Sequence, residues 1–146
     1  MNIKNRKARF DYELHDTFVA GIQLQGSEIK SIRLSQASIK EAYCLLIDGE
    51  LWIRSMHISV FAPASYNNHE PIRDRKLLLN RTELKKIEKQ LKTKGYTVVP
   101  LRVFISKSGY AKVEIATASG KKQYDKREDL KQKDAKRDMD RAGKYR

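Results

Sequence analysis

The sequence holds a single cysteine, Cys44, which excludes an internal disulfide and any zinc site built from several thiolates. Its three histidines, His15, His57 and His69, are scattered, and none stands at a metal-ligand spacing. No Gly-rich phosphate loop or nucleophile-base-acid pattern occurs. Asp11, Glu13 and Asp16 lie close together, but strand alternation puts only Asp11 and Glu13 on one face, a poor basis for a metal-dependent nuclease. No apolar run approaches the ~18 residues that a spanning helix needs. The stretch MNIKNRKARF carries no signal-peptide hydrophobic segment. These absences predict a soluble cytoplasmic protein with no membrane-embedded part, no metal, no cofactor and no covalent chemistry.

Acidic residues are also in short supply, 18 against 31 Lys and Arg, which leaves a net charge of +13. Such an excess favours a polyanionic partner, because each phosphate that is neutralised releases condensed counterions. The length of 146 residues suits one folded unit, and at 40% hydrophobic residues a core is feasible. Composition divides the chain near Gly120. Residues 1–119 hold nearly all the Val, Ile, Leu and Phe, whereas residues 120–146 combine 11 basic with 6 acidic residues. A segment so charged cannot bury enough apolar surface to offset its ordering entropy, so a basic tail, disordered when alone, is expected there.

Within residues 1–119 the dominant period is two. Phe10, Tyr12 and Leu14 alternate with charged residues, and Phe18, Ala20, Ile22 and Leu24 alternate again, as strands do. Ser38–Ile47 and Glu50–Val60 flank Asp48-Gly49, a pair suited to a two-residue hairpin turn. A second hairpin runs from Tyr96 to Ser106, turns through Lys107-Ser108-Gly109, and returns from Tyr110 to Ala118. Ser27–Ser35 predicts a short helix, and Asn80–Lys94 a longer one with Asn80 and Glu83 as its capping signal and Gly95 as its stop. The expected fold is therefore mainly β with short helices. About six strands would close into a small barrel of the oligonucleotide-binding type, since closure removes exposed edges.

Three places offer charge to a polyanion. If Val99, Leu101, Val103 and Ile105 face inward with Val113 and Ile115, alternation puts Arg102, Phe104, Tyr110 and Lys112 outside, with Phe104 opposite Lys112. Cations beside an exposed ring suit phosphate and an unstacked base. The same pattern also fits Phe104 covered by the long helix. The run from Arg73 through Lys76 and Leu78 to Asn80 and Arg81 leads into a helix N-terminus, a phosphate site if Asn80 does more than cap. In the tail, Lys126, Lys133, Arg137, Arg141 and Lys144 would share one helical face. Asp129/Lys133 and Asp140/Lys144 would support that helix once bound, although the charge would equally suit a solubilising extension.

Six ordered blocks carry a resemblance. They are Asn5-Arg-Lys-Ala-Arg9, Ala20-Gly-Ile-Gln-Leu-Gln-Gly26, Glu28-Ile-Lys-Ser-Ile-Arg33, Arg75-Lys-Leu-Leu-Leu-Asn80, Gly95-Tyr-Thr-Val-Val-Pro-Leu101 and Gly120-Lys-Lys-Gln-Tyr-Asp-Lys-Arg127. Together they resemble the SsrA-binding protein family, also called small protein B, over residues 5–128. The resemblance implies an RNA-binding adaptor that binds the tRNA-like part of transfer-messenger RNA, brings it with elongation factor Tu to stalled ribosomes, and acts as a monomer. It implies RNA contacts at Leu78, Asn80 and Lys112. It also implies a tail, comprising Gly120, Lys121, Lys122, Tyr124, Asp125, Lys126 and Arg127 and extending by its stripe to Lys133, Arg137 and Arg141, that enters the decoding centre and the empty mRNA channel along small-subunit ribosomal RNA. Where the family often carries a Glu, this chain has Val19. The competing class is a basic barrel of the ribosomal-protein or translation-factor kind, bound permanently to ribosomal RNA.

Overall fold

The computed structural model describes residues 2–61 and 68–121. In chain order these form β1 (Asn2–Lys4), α1 (Arg6–Asp11), β2 (Tyr12–Ile22), α2 (Gly26–Arg33), β3 (Ala37–Ser38), β4 (Tyr43–Ile47), β5 (Glu50–Arg54), β6 (His57–Ile58), β7 (Arg75–Leu78), α3 (Arg81–Leu91), β8 (Tyr96–Ile105) and β9 (Ala111–Gly120). The protein is mainly β with short helices. One antiparallel sheet has the strand order β1-β8-β4-β5-β7-β2-β9, β9 pairs again with β8, and β3 pairs with β6 apart from it. The seam between β8 and β4 is the single pair Cys44 and Val98.

More strands form than the six expected. Ser38–Ile47 supplies part of β3 and all of β4, and Glu50–Val60 divides into β5 and β6. The short β1 and β7, with sequences NIK and RKLL, give too few residues to display a period. The first hairpin turns as its sequence predicts, with Asp48 at φ 51° and Gly49 at φ 76°. In the second, the Gly109 N–H donates to Ser106 O at 2.9 Å and Gly109 has φ 87°. That turn places Phe104 opposite Lys112, as expected.

Two expectations fail for tertiary reasons. Phe10 and Asp11 belong to α1 rather than to a strand, so Asp11 and Glu13 do not share a strand face. Asn5 nucleates this helix: its side-chain oxygen accepts from the Ala8 N–H, while its amide donates to Ile39 O at 3.1 Å and Pro100 O at 3.0 Å. The second failure is a register shift between Pro100 and Arg102. It inserts a residue into β8 and reverses the facing of what precedes it. Val98 and Val103 therefore lie in the main core, whereas Val99 and Leu101 pack with Ala8, Ala116 and Ala118 in a second cluster beside α1.

The main core gathers Ala20, Ile53, Leu77, Ile87, Val113 and Ile115 among others, with α3 packed on it through the fully buried Ile87. It also encloses an ion pair. Arg75 Nε donates to the Glu28 carboxylate and Arg75 Nη1 to Met56 O at 2.7 Å, while Arg73 Nη2 reaches Glu28 Oε1 at 2.5 Å. Burial by itself would raise the Glu28 pKa, but the hydrogen bonds from Arg73, the Gln25 N–H and Arg75, with the Arg75 charge, hold it below its ordinary value. Burial lowers the Arg75 pKa, a shift that Glu28 opposes. These contacts pin α2 against β7.

Candidate nucleic-acid interface

The outer face of the sheet follows from register. Leu78 lies opposite Gly21, Gly21 opposite Lys112, Lys112 opposite Phe104, and Phe104 opposite Asn2. Residues from β7, β2, β9, β8 and β1 thus form one row across the sheet. A second row, two residues along each strand, runs Val19, Glu114, Arg102, Lys4. Because the pleat alternates, Ala20, Val103 and Val113 point the other way and are fully buried. Leu78 and Val19 are each 50% exposed.

Arg102, Phe104 and Glu114 form one unit. Arg102 Nε donates to Glu114 Oε2 at 3.1 Å and Nη1 to Asn2 Oδ1 at 3.2 Å. Its guanidinium carbon stands 4.3 Å from the Phe104 ring centroid. The cation is held over one ring face by two acceptors, a pre-organised contact of the cation–π kind. Phe104 is half-buried beside this guanidinium, not enclosed beneath the long helix.

Lys76 and Lys112 differ in their commitments. Lys76 Nζ bonds Glu50 Oε1 at 2.8 Å, whereas among the described residues Lys112 makes no ion pair. Asn80 caps α3 in a reciprocal box: its side-chain oxygen accepts from Glu83 N–H at 2.8 Å, and Glu83 Oε1 accepts from Asn80 N–H at 3.2 Å. The exposed Asn80 leaves its amide NH₂ as the group for another partner. Tyr110, 68% exposed, follows the hairpin turn directly before β9, two residues ahead of Lys112.

Six of the seven predicted residues of the body therefore lie on or directly beside the two rows, and Asn80 stands at the helix entry just beyond Leu78. Sequence reasoning missed Gly21 and Glu114, whose places depend on which strands become neighbours. Of the tail residues, Gly120 ends β9 opposite Tyr12, and the Lys121 N–H donates to Asp11 O at 3.1 Å. Lys122, Tyr124, Asp125, Lys126, Arg127, Lys133, Arg137 and Arg141 lie outside the described residues. Among the described residues, no group of three or more His, Cys, Asp and Glu side chains could hold a metal ion, and no helix is long and apolar enough to cross a membrane.

A curled antiparallel sheet whose outer face sets a leucine, a lysine with no ion pair among the described residues and a ring side by side defines a small basic β-protein built to meet a polyanion. The chain belongs to the SmpB family, whose model, described as SmpB protein, matches residues 2–145. It is 56% identical over 144 residues to the SsrA-binding protein of Phocaeicola vulgatus, covering 99% of this chain and 96% of that one. With the SsrA-binding protein of Cytophaga hutchinsonii it shares 55% over 141 residues, 97% of this chain and 92% of the other. It also resembles a solved chain from the structure described as "tmRNA-SmpB: a journey to the center of the bacterial ribosome", with a TM-score of 0.70, 38% identity, and 88% of this chain and 94% of that one covered.

Proposed function

We propose that this protein is the RNA-binding adaptor of trans-translation, with its outer-face rows bound to the tRNA-like domain of transfer-messenger RNA. The observation that carries this reading is the Leu78, Gly21, Lys112, Phe104 row within a chain of the SmpB family. Lys112 meets a phosphate, Phe104 offers its second face to a base, Leu78 covers an apolar sugar or base edge, and the Asn80 amide donates to an RNA acceptor. The sheet works as a closed barrel of the oligonucleotide-binding type over residues 1–119. The pairing of β9 both with β2 and with β8 supports that reading.

Bound to its RNA and, through it, to elongation factor Tu, the protein acts as a monomer in the cytoplasm and brings the RNA to stalled ribosomes. Gly120 and Lys121 stay with the sheet, and residues 122–146 then follow small-subunit ribosomal RNA through the decoding centre into the empty mRNA channel, and the nascent peptide is tagged. No covalent step is assigned to the protein.

Sequencing the RNA that co-purifies with the protein from a bacterial lysate tests this. One dominant transfer-messenger RNA species is expected. Ribosomal RNA alone would instead make the protein a permanent basic component of the ribosome or a translation factor.

A further inference from the structure

Gly21 sits inside a central strand, bonded on one side to β7 and on the other to β9. Glycine there weakens a strand, and its φ is outside the left-handed region, so the backbone conformation does not require it. The constraint comes from space on the outer face. A Cβ at Gly21 would meet Leu78 Cβ at 3.3 Å and Leu78 Cδ1 at 3.6 Å. Any side chain would therefore crowd Leu78 and fill the gap between it and Lys112.

That gap has defined walls. Leu78 and Lys112 stand on strands two places apart, so with strands spaced about 4.8 Å their backbones are ~10 Å from each other. Leu78 leans over Gly21 from one side, its Cδ1 3.6 Å from where a Cβ would stand, and Lys112 is the register partner of Gly21 on the other, with Phe104 next in the row. The floor is Gly21 main chain, whose neighbours on both sides are hydrogen-bonded strands. A floor of that kind gives van der Waals contact and selects shape over hydrogen-bonding pattern.

We infer that Gly21 is a specificity-determining residue that keeps open a notch for one unpaired nucleotide of the bound RNA. The flat base or its sugar lies against Gly21 between Leu78 and the Lys112 stem, and the Lys112 ammonium reaches the adjoining phosphate. This inference rests on the proposed RNA-binding role of the same face.

Gly21→Ala and Gly21→Val, in the full chain, provide the test against a tRNA-like fragment of transfer-messenger RNA, with thermal unfolding measured in parallel. Affinity is expected to fall at least 10-fold for Gly21→Ala and further for Gly21→Val, with more than 95% of each variant folded at the assay temperature. Fragments in which single unpaired nucleotides are made abasic supply a second readout. One such change should weaken binding to the wild type at least 5-fold yet cost Gly21→Ala less than 2-fold more. Unchanged affinity in Gly21→Ala, or losses that add in full at every abasic position, overturns the notch. If the wild type does not bind the fragment, the RNA-binding role itself fails; if the wild type binds and Lys112→Ala weakens it while Gly21→Ala does not, the notch alone fails.

Discussion

Arg75 and Glu28, 47 residues apart in the chain, are joined by a hydrogen bond while both side chains are fully buried. Removing one member leaves the other charged and enclosed, a loss of ~3–5 kcal/mol. Glu28→Gln should lower unfolding stability by that order in urea titrations. A loss under ~1 kcal/mol would mean that water or the substituted amide oxygen accepts from Arg75 in place of the carboxylate.

The same carboxylate sets an acid limit. Its folded pKa is lowered from 4.5, so its contribution is fully present above that value and is lost as pH falls through the lower folded pKa. Stability of the wild type should decline below about pH 4.5, and Glu28→Gln should flatten that decline. Parallel urea titrations from neutral to acid pH measure it, and equal slopes in both proteins would assign the acid sensitivity elsewhere.

Lys112 and Lys76 should separate in salt titrations of RNA binding. Lys112→Ala is expected to make the log–log slope shallower by about one unit, since one phosphate contact is lost. Lys76 is already shared with Glu50 at 2.8 Å, so Lys76→Ala should change the slope less. Equal changes would show that the Glu50 contact opens on binding.

Asn80 carries two roles that one atom exchange divides. Asn80→Asp keeps the oxygen that caps α3 and places a negative charge at the helix N-terminus, so stability should hold within about 0.5 kcal/mol. Its lost NH₂ and added charge should weaken RNA binding. Retained affinity would leave Asn80 as a cap only.

The Phe104 ring should contribute by stacking. Phe104→Ala is expected to cost ~1–3 kcal/mol of RNA affinity and Phe104→Trp little or none. Equal losses in the two variants would indicate packing against Arg102 as its only role.

The tail is tested by truncation after Lys121, because Gly120 and Lys121 are bonded to Tyr12 and Asp11. The shortened protein should keep its fold and most of its RNA affinity, deliver RNA to stalled ribosomes, and fail in peptide tagging. Ala135→Pro, which costs ~3 kcal/mol in a helix interior, should reproduce much of that defect. Normal tagging by the truncated protein would make residues 122–146 a solubilising extension.

Local sequence alone determined the second hairpin, its turn, the capped start of α3 and the facing of Arg102, Phe104 and Lys112, because alternation, φ preference and capping act over a few residues. The charge surplus fixed the sign of the partner, and the six ordered blocks fixed the family. Tertiary structure decided the rest. α1 forms because buried Asn5 bonds Ile39 and Pro100, far along the chain. The shift at Pro100–Arg102 turns Val99 and Leu101 toward Ala8, which no alternation rule predicts. Gly21 faces Leu78, and Arg75 finds Glu28, only once β2 lies between β7 and β9 and α2 docks beneath. Those pairings are set by long-range packing and the entropy of closing long loops, neither of which a local pattern encodes.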